Sequence, residues 1–274
     1  MSDRFYRISI EKLFKWILTE EESGRIFGIY KELFFTPKES DTFRMKRYGK
    51  TLETPIGVAA GPHTQLAHNI IASWLCGARY IELKTIQTLD EIDVTKPCID
   101  MEDEGYNCEW SQELKIKDSF DEYLNAWIII HVLKNKFGRS KDEPGFIFNM
   151  SVGYDLVGIE KPNVQWFLDK MNNCSKEKEE KIKKLESLYP RISEVNIPDQ
   201  ISDNVTLSTM HGCPSNEIEK ICRYLIEERN LHTSLKLNPT LLGKVALRNV
   251  LNDKLGFEIN VPDEAFEHDL KYED

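Results

Sequence analysis

Residues 54–86, "TPIGVAAGPHTQLAHNIIASWLCGARYIELKTI", decide the fold. An apolar run from Ile56 to Ala60 stops at Gly61-Pro62, the punctuation that ends a buried strand. A helical stretch over 65–76 follows, with Leu66, Ile70 and Trp74 on one side, and Gly77 leads into a second strand, "RYIELKTI". Together they make one β-α-β unit. The alternation continues outward with helix 118–136, strand "GFIFNMSV", helix 163–172, strand "VTLS", helix 215–229 and strand "SLKLN". Such a repeat predicts an α/β fold with a parallel sheet and helices outside.

Upstream, Ile10, Leu13, Phe14, Ile17 and Leu18 share one face of a helix that reaches about Glu22 and ends at Gly24. "TFRMKRYGKTL" then reads as two short strands around a Tyr-Gly-Lys turn. Residues 1–52 are thus a helix with capping strands, and residues 53–274 carry the main alternation. Two segments break the rhythm. Residues 173–203 are charge-rich and read as an exposed helix and connector. Residues 87–117 form a long excursion at the carboxyl end of a strand, where parallel α/β proteins bind ligands.

The totals narrow the function. With 274 residues and 41% apolar content the chain can bury a large core, while a formal charge of −10 with interleaved basic residues argues against nucleic acid. Small molecules or proteins are the expected partners. The expectation is a cytoplasmic protein, because no apolar stretch approaches the ~20 residues of a bilayer span and the first residues lack a signal peptide's apolar centre. The six cysteines are scattered without a C-x-x-C pair, so no metal or iron–sulfur ligand set is expected. His63 and His68 with His211 and Cys213 form the only alternative metal set, and the spacing of five turns the first two histidines to different helix faces.

The carboxyl ends of the five main strands read "AAGPHT", "LKTIQ", "FNMSVG", "LSTMHGC" and "LKLNPT". In a (β/α)8 barrel these ends share one rim, so lysines, hydroxyls, a histidine and a cysteine face one cavity. Lys84 and Lys236 stand out, because a lysine inside an apolar strand needs an anionic or acceptor partner. Glu82 is a structural candidate for that partner. In "LSTMHGCP", Pro214 suits a first helical turn, which puts Cys213 at or next to an N-cap and predicts a thiol more acidic than usual.

"TPIGVAAGPHTQ", "IELKTIQ", "YNCEWS", "LSTMHGCP" and "LKLNPTLLG" together resemble the FMN-binding barrel of dihydroorotate dehydrogenases and of the pyrimidine-reducing domain of dihydropyrimidine dehydrogenase. A closer resemblance is to the N-terminal region of the large flavoprotein subunit associated with selenate reduction. The likeness implies that Ala59, Ala60 and Gly61 let a flavin ring lie against backbone and that Lys84 and Thr85 meet its polar edge. It further implies that Lys236 reaches the N1–C2=O side, where the reduced ring gathers negative charge. By the same likeness Asn107, Thr206 and Asn238 face substrate, and Cys213, Thr209 and His211 occupy the catalytic-base region.

Departures from the family pattern accompany it. Thr206 stands where the dehydrogenases place a substrate asparagine, and Thr209 where some place a catalytic cysteine, so a pyrimidine substrate does not follow. A (β/α)8 barrel takes about 250 residues without insertions. Only five strands, with a sixth at "GFEINV", are legible here. The expectation is an incomplete TIM-type barrel that binds FMN weakly or not at all and is inactive alone. The resemblance supplies the rest of the barrel, iron–sulfur and dinucleotide regions from elsewhere in a larger protein or a partner subunit, and open strand edges also invite self-association. Two other readings stay open: a non-catalytic assembly scaffold, and an enzyme using a barrel lysine as Schiff-base nucleophile.

Overall fold

The computed structural model describes residues 5–90, 99–100, 106–107, 112–139, 143–209, 212–267 and 270–272, with backbone alone for 99–100 and 106–107. Helix α1 (Ile10–Glu22) starts at Ser9, whose hydroxyl accepts the Lys12 N–H, and buries Ile10, Leu13, Phe14 and Ile17. Two hairpins follow: β1 (Arg25–Ile26) with β2 (Ile29–Tyr30), and β3 (Met45–Arg47) with β4 (Lys50–Leu52). The second turns at Tyr48 and Gly49, with φ of 52° and 74°, the paired positive values of a tight hairpin loop. Next come β5 (Gly57–Val58), α2 (Ala67–Leu75), β6 (Tyr80–Glu82), the antiparallel pair β7 (Ile99–Asp100) and β8 (Tyr106–Asn107), and α3 (Ile116–Lys136). The chain continues through β9 (Ile147–Val152), α4 (Leu156–Ile159), α5 (Pro162–Asn172), α6 (Ser175–Leu185), β10 (Asn204–Ser208), α7 (Ile218–Arg223), β11 (His232–Lys236), α8 (Lys244–Arg248) and α9 (Glu264–Glu267).

Five strands form one parallel sheet in the order β11-β10-β9-β6-β5, as the alternation predicts. Its two faces differ in chemistry. Phe148, Met150, Val152, Val205 and Leu207 are buried on the helix side, where Phe148 meets Trp127 of α3 edge-on at 5.3 Å. Strand period two turns the alternate residues Glu82, Asn149, Ser151, Thr206, Ser208, Ser234 and Lys236 to the other face. That face is held by its own polar bonds: the Asn149 amide donates to the Thr206 hydroxyl at 2.7 Å, and the Thr85 and Ser151 hydroxyls meet at 2.8 Å. Lys236 Nζ lies 3.5 Å from Glu82 Oε2 although β11 and β6 are three strands apart. On a flat sheet that separation is about 14 Å, beyond the reach of two side chains standing upright. The sheet therefore curls into an arc of barrel wall with a polar interior, and β5 and β11 remain its unpaired edges among the described residues.

Three expectations need correction. The run Ile56 to Ala60 is not a buried strand: only Gly57 and Val58 pair, and Ile56 is 63% exposed, because β5 is an edge with one neighbour. "GFEINV" forms no strand, and Phe257 and Ile259 are exposed. Residues 173–203 are more than an exposed connector: α6 packs against α1, Leu185, Ile192, Ile197 and Ile201 enter the core, and Lys181 pairs with Asp121 at 2.6 Å.

The β3–β4 hairpin sits under the amino ends of the strands. Arg47 lies over the rings of Tyr48 and Tyr80, at 4.6 and 5.2 Å, and donates to the Ser234 hydroxyl at 3.0 Å; Tyr48 stacks on His232 at 4.7 Å. Just after the hairpin, Glu53 accepts from the Arg79 Nε at 2.6 Å, and Arg79, 1% exposed, also donates to the carbonyls of Trp74 and Ala78 at the end of α2. Removing one member of such a buried pair strands the other charge. Glu53→Gln is expected to cost about 3–5 kcal/mol in denaturant unfolding, and adding Arg79→Met to recover part of the loss. A double variant as damaged as the sum of the singles would contradict the pairing.

The rim loop 59–66 is set by what caps α2. Leu66 offers no side-chain cap, so Glu122 of α3 takes the role: its Oε2 accepts the Ala67 N–H at 2.8 Å, while Oε1 has no partner. Burial raises this carboxyl from the usual 4.5 to about 7; the Ala67 N–H, Arg7 and Lys181 oppose the rise and Asp121 adds to it. The folded value exceeds the unfolded one, so the contribution is complete below pH 4.5 and is lost as pH rises through 7. The full span is on the order of 3 kcal/mol. Glu122→Gln, which keeps an acceptor for Ala67, should match wild type near pH 4.5 and exceed it near pH 8 by on the order of 3 kcal/mol. Unfolding curves at both pH values decide it; an unchanged difference would contradict the assignment.

Candidate functional site

The rim is built around one carboxylate. Glu82 Oε2 accepts the Ala60 N–H at 3.1 Å, from the segment leaving one sheet edge, and faces Lys236 Nζ at 3.5 Å, from the other edge. Glu82 Oε1 has no hydrogen-bond partner, and neither does Asn149 Oδ1 on the neighbouring strand, where the two residues are in register. Lys84, 3% exposed, and Thr85, 1% exposed, follow just past the end of β6, and the Tyr123 hydroxyl donates to the Lys84 carbonyl at 3.2 Å. The surface thus combines the Lys236 ammonium with two open acceptor oxygens, and the Lys84 charge acts on the adjacent His63. It suits a flat polar molecule with both carbonyl and N–H groups.

Beside it, the segment 59–66 is tightly folded. Gly61 donates to the Thr64 hydroxyl at 3.2 Å, and the His63 ring lies so close that a Cβ on Gly61 would stand 2.7 Å from its Cε1. Burial lowers the His63 pKa, a hydrogen bond to Ala59 opposes this, and the charge of Lys84 adds to the lowering. His63 is therefore a neutral ring against the glycine expected to receive a flavin. The long excursion is anchored to the same rim: Gln87 N–H donates to Gln112 Oε1 at 3.0 Å, and Asp90 Oδ1 accepts the Ile116 N–H at 2.6 Å, capping α3.

The remaining expected site residues fare differently. Thr206 is buried with its hydroxyl oxygen accepting from Asn149, and the Thr209 hydroxyl donates to the Lys236 carbonyl at 2.9 Å, closing the strand end. Asn238 is half-buried just before the turn Pro239–Leu242. Asn107 lies in β8, with its side chain outside the description, and His211 is outside the described residues. Among the described residues no group of three His, Cys, Asp or Glu side chains could hold a metal, and no helix is long and apolar enough to cross a membrane.

Cys213 overturns the acidic-thiol expectation. Burial pushes its pKa up to about 12, with Cys222, Glu217 and Asp155 adding to the rise. Cys213 does not cap the α-helix: Pro214 precedes the short turn Ser215–Glu217, and α7 begins at Ile218 with Glu217 before it. Sequence reasoning also assigned Glu82 only a structural part and passed over Asn149. The available signal was Glu82 itself, an acid inside an otherwise apolar run, which needs a cation or an N–H partner. At neutral pH, iodoacetamide should modify the exposed Cys76 at least tenfold faster than Cys213 or Cys222; peptide mapping that finds Cys213 first would restore it as a thiolate.

With the geometry in place, comparison with known proteins is informative. "Putative oxidoreductase YgfK" of Escherichia coli K12 is 45% identical over 297 residues, covering 99% of this chain, and the protein of the same name from E. coli O157:H7 matches equally. The chain spans 28% of the length of these relatives. A ligand-free DHODH from Eimeria tenella aligns over 75% of this chain and 64% of its own at 13% identity, with a TM-score of 0.34, too low to establish a shared fold. The family described as "Oxidoreductase YgfK, N-terminal TIM-barrel domain" matches residues 27–274. The chain belongs to this TIM-barrel family of oxidoreductase N-terminal domains.

Proposed function

We propose that this chain forms the flavin-ring side of an FMN-dependent redox barrel. The observation that carries the reading is the meeting of Ala60, Glu82 and Lys236 beside the open oxygens of Glu82 and Asn149. The pyrimidine edge of an isoalloxazine presents carbonyl, N–H and carbonyl in turn, which suits an ammonium group beside acceptor oxygens. When bound, the flavin supplies the electron-transfer chemistry. Lys236 supplies positive charge for the N1–C2=O side, Lys84 and Thr85 meet the opposite polar edge, and the small residues Ala59 to Gly61 leave the ring room.

Glu82 has a double effect in this reading. It orients Lys236 and fixes the Ala60 backbone, yet it also offsets part of the lysine's charge, so Glu82→Gln strengthens binding of an anionic reduced ring. Cys213, Thr209 and His211 are the proton-transfer candidates in this reading, with burial of Cys213 disfavouring a thiolate base. In this reading Thr206 and Asn238 face substrate, and the likeness to the dehydrogenases alone gives Asn107 the same part. The remaining barrel strands, the phosphate site and the electron relay come from a larger redox protein of the selenate-reductase flavoprotein type, and the substrate is a small molecule.

If ring contacts dominate, riboflavin and FMN should bind this chain within about threefold of each other, and Lys236→Met should weaken both at least fivefold while the far-ultraviolet spectrum stays unchanged. Flavin-fluorescence titration measures this. A hundredfold preference for FMN, or flavin binding indifferent to Lys236→Met, would overturn the assignment.

A further inference from the structure

A flat ligand has an edge and two faces, and the groups gathered around Glu82 answer only the edge. The turn 61–64 supplies something for a face. Gly61 is buried and His63 is exposed, although both belong to one turn. The cause is contact: Cε1 and Nδ1 of the His63 ring lie 2.7 and 2.8 Å from the place a Gly61 Cβ would occupy, with Nε2 farther off at 3.8 Å. The φ of Gly61 is −169°, extended backbone that any residue adopts, so the ring rather than the dihedral excludes a side chain here. Gly61 makes room for the imidazole, which rests on it by that edge.

The turn that carries the ring is fixed from several sides. The Thr64 N–H donates to the Gly61 carbonyl at 2.9 Å, and the Gly61 N–H donates to the Thr64 hydroxyl at 3.2 Å. Gln65, fully buried, anchors the next residue: its Oε1 accepts the N–H groups of Glu113 and Leu114, both at 3.2 Å. Ala60, on the other side, is tied to Glu82 at 3.1 Å, so the imidazole and the Glu82–Lys236 pair belong to one continuous surface. A neutral ring held this way is cheap to desolvate and has little freedom left to lose when another ring packs on it. We propose that His63 is the stacking wall of the rim, its imidazole packing against the face of the flat ring whose polar edge meets Glu82 and Lys236. The inference rests on the flavin reading for the identity of that ring, and gives His63 a contact that the reading itself does not include.

Riboflavin is the probe, and diethyl pyrocarbonate, which modifies accessible unprotonated imidazoles, supplies a footprint on the full wild-type chain at neutral pH. Saturating riboflavin should slow modification of His63 at least fivefold, read by peptide mapping, and leave the exposed His232 at the amino end within twofold. In fluorescence titration, His63→Gln, which keeps an N–H donor but loses the ring, should weaken riboflavin at least fivefold, while His63→Phe, which keeps a ring, should stay within twofold of wild type. Riboflavin that binds and responds to Lys236→Met, yet leaves His63 unprotected, overturns this inference and spares the flavin reading. Wild-type affinity in His63→Gln, or equal losses in His63→Gln and His63→Phe, overturns it in the same way. Absence of riboflavin binding to the wild-type chain overturns both.

Discussion

A single carboxylate oxygen joins the two ends of the sheet. Glu82 sits on β6, accepts the Ala60 N–H from beyond one edge and faces the Lys236 ammonium from the other. This contact requires a curled sheet, and the curl makes a rim out of strand ends that are far apart in sequence. The other features of the polar face follow from it. Asn149 and Thr206, Thr85 and Ser151 pair across neighbouring strands because curvature tips their side chains together.

A buried ion pair is weak evidence for stability, since taking both charges from water offsets most of their attraction. The Glu82–Lys236 pair is only partly buried, with the lysine side chain 44% exposed, so its stabilising effect is smaller still. Its importance lies in position. The helix-facing side of the sheet supplies the stability through Phe148, Met150, Val205 and Leu207, which leaves the concave side free to carry unsatisfied oxygens and cations. The same division operates at the amino end, where Arg47, Tyr48 and His232 close the wall and Glu53 with Arg79 holds α2 beneath it.

Much of this architecture was legible in the sequence, for physical reasons. Apolar runs ended by Gly-Pro or Gly marked strands, the period of Ile10, Leu13, Phe14 and Ile17 marked α1, and the alternation implied a parallel sheet. Lys84 and Lys236 announced a polar interior, because isolated lysines do not sit in buried strands. Several things could not be read. Ile56 looks buried by its chemistry, and only the strand order reveals an edge. The Cys213 environment depends on Asp155 and Glu217, which the fold brings near the thiol. The bond from Ala60 to Glu82 spans a whole helix, and no local pattern predicts that one carboxylate will meet both a backbone N–H from the neighbouring edge and a lysine three strands away.

The most direct test of the curled rim is zero-length cross-linking. A carbodiimide joins a carboxylate to an ammonium only when the two touch, and mass spectrometry of the digested chain identifies the joined peptides. The account predicts an amide between Glu82 and Lys236, formed alongside the surface control Lys170–Glu177, whose atoms lie 2.6 Å apart. Formation of the control with no Glu82–Lys236 product, or Lys236 joined instead to acids on the outer face, would contradict a sheet curled around this carboxylate.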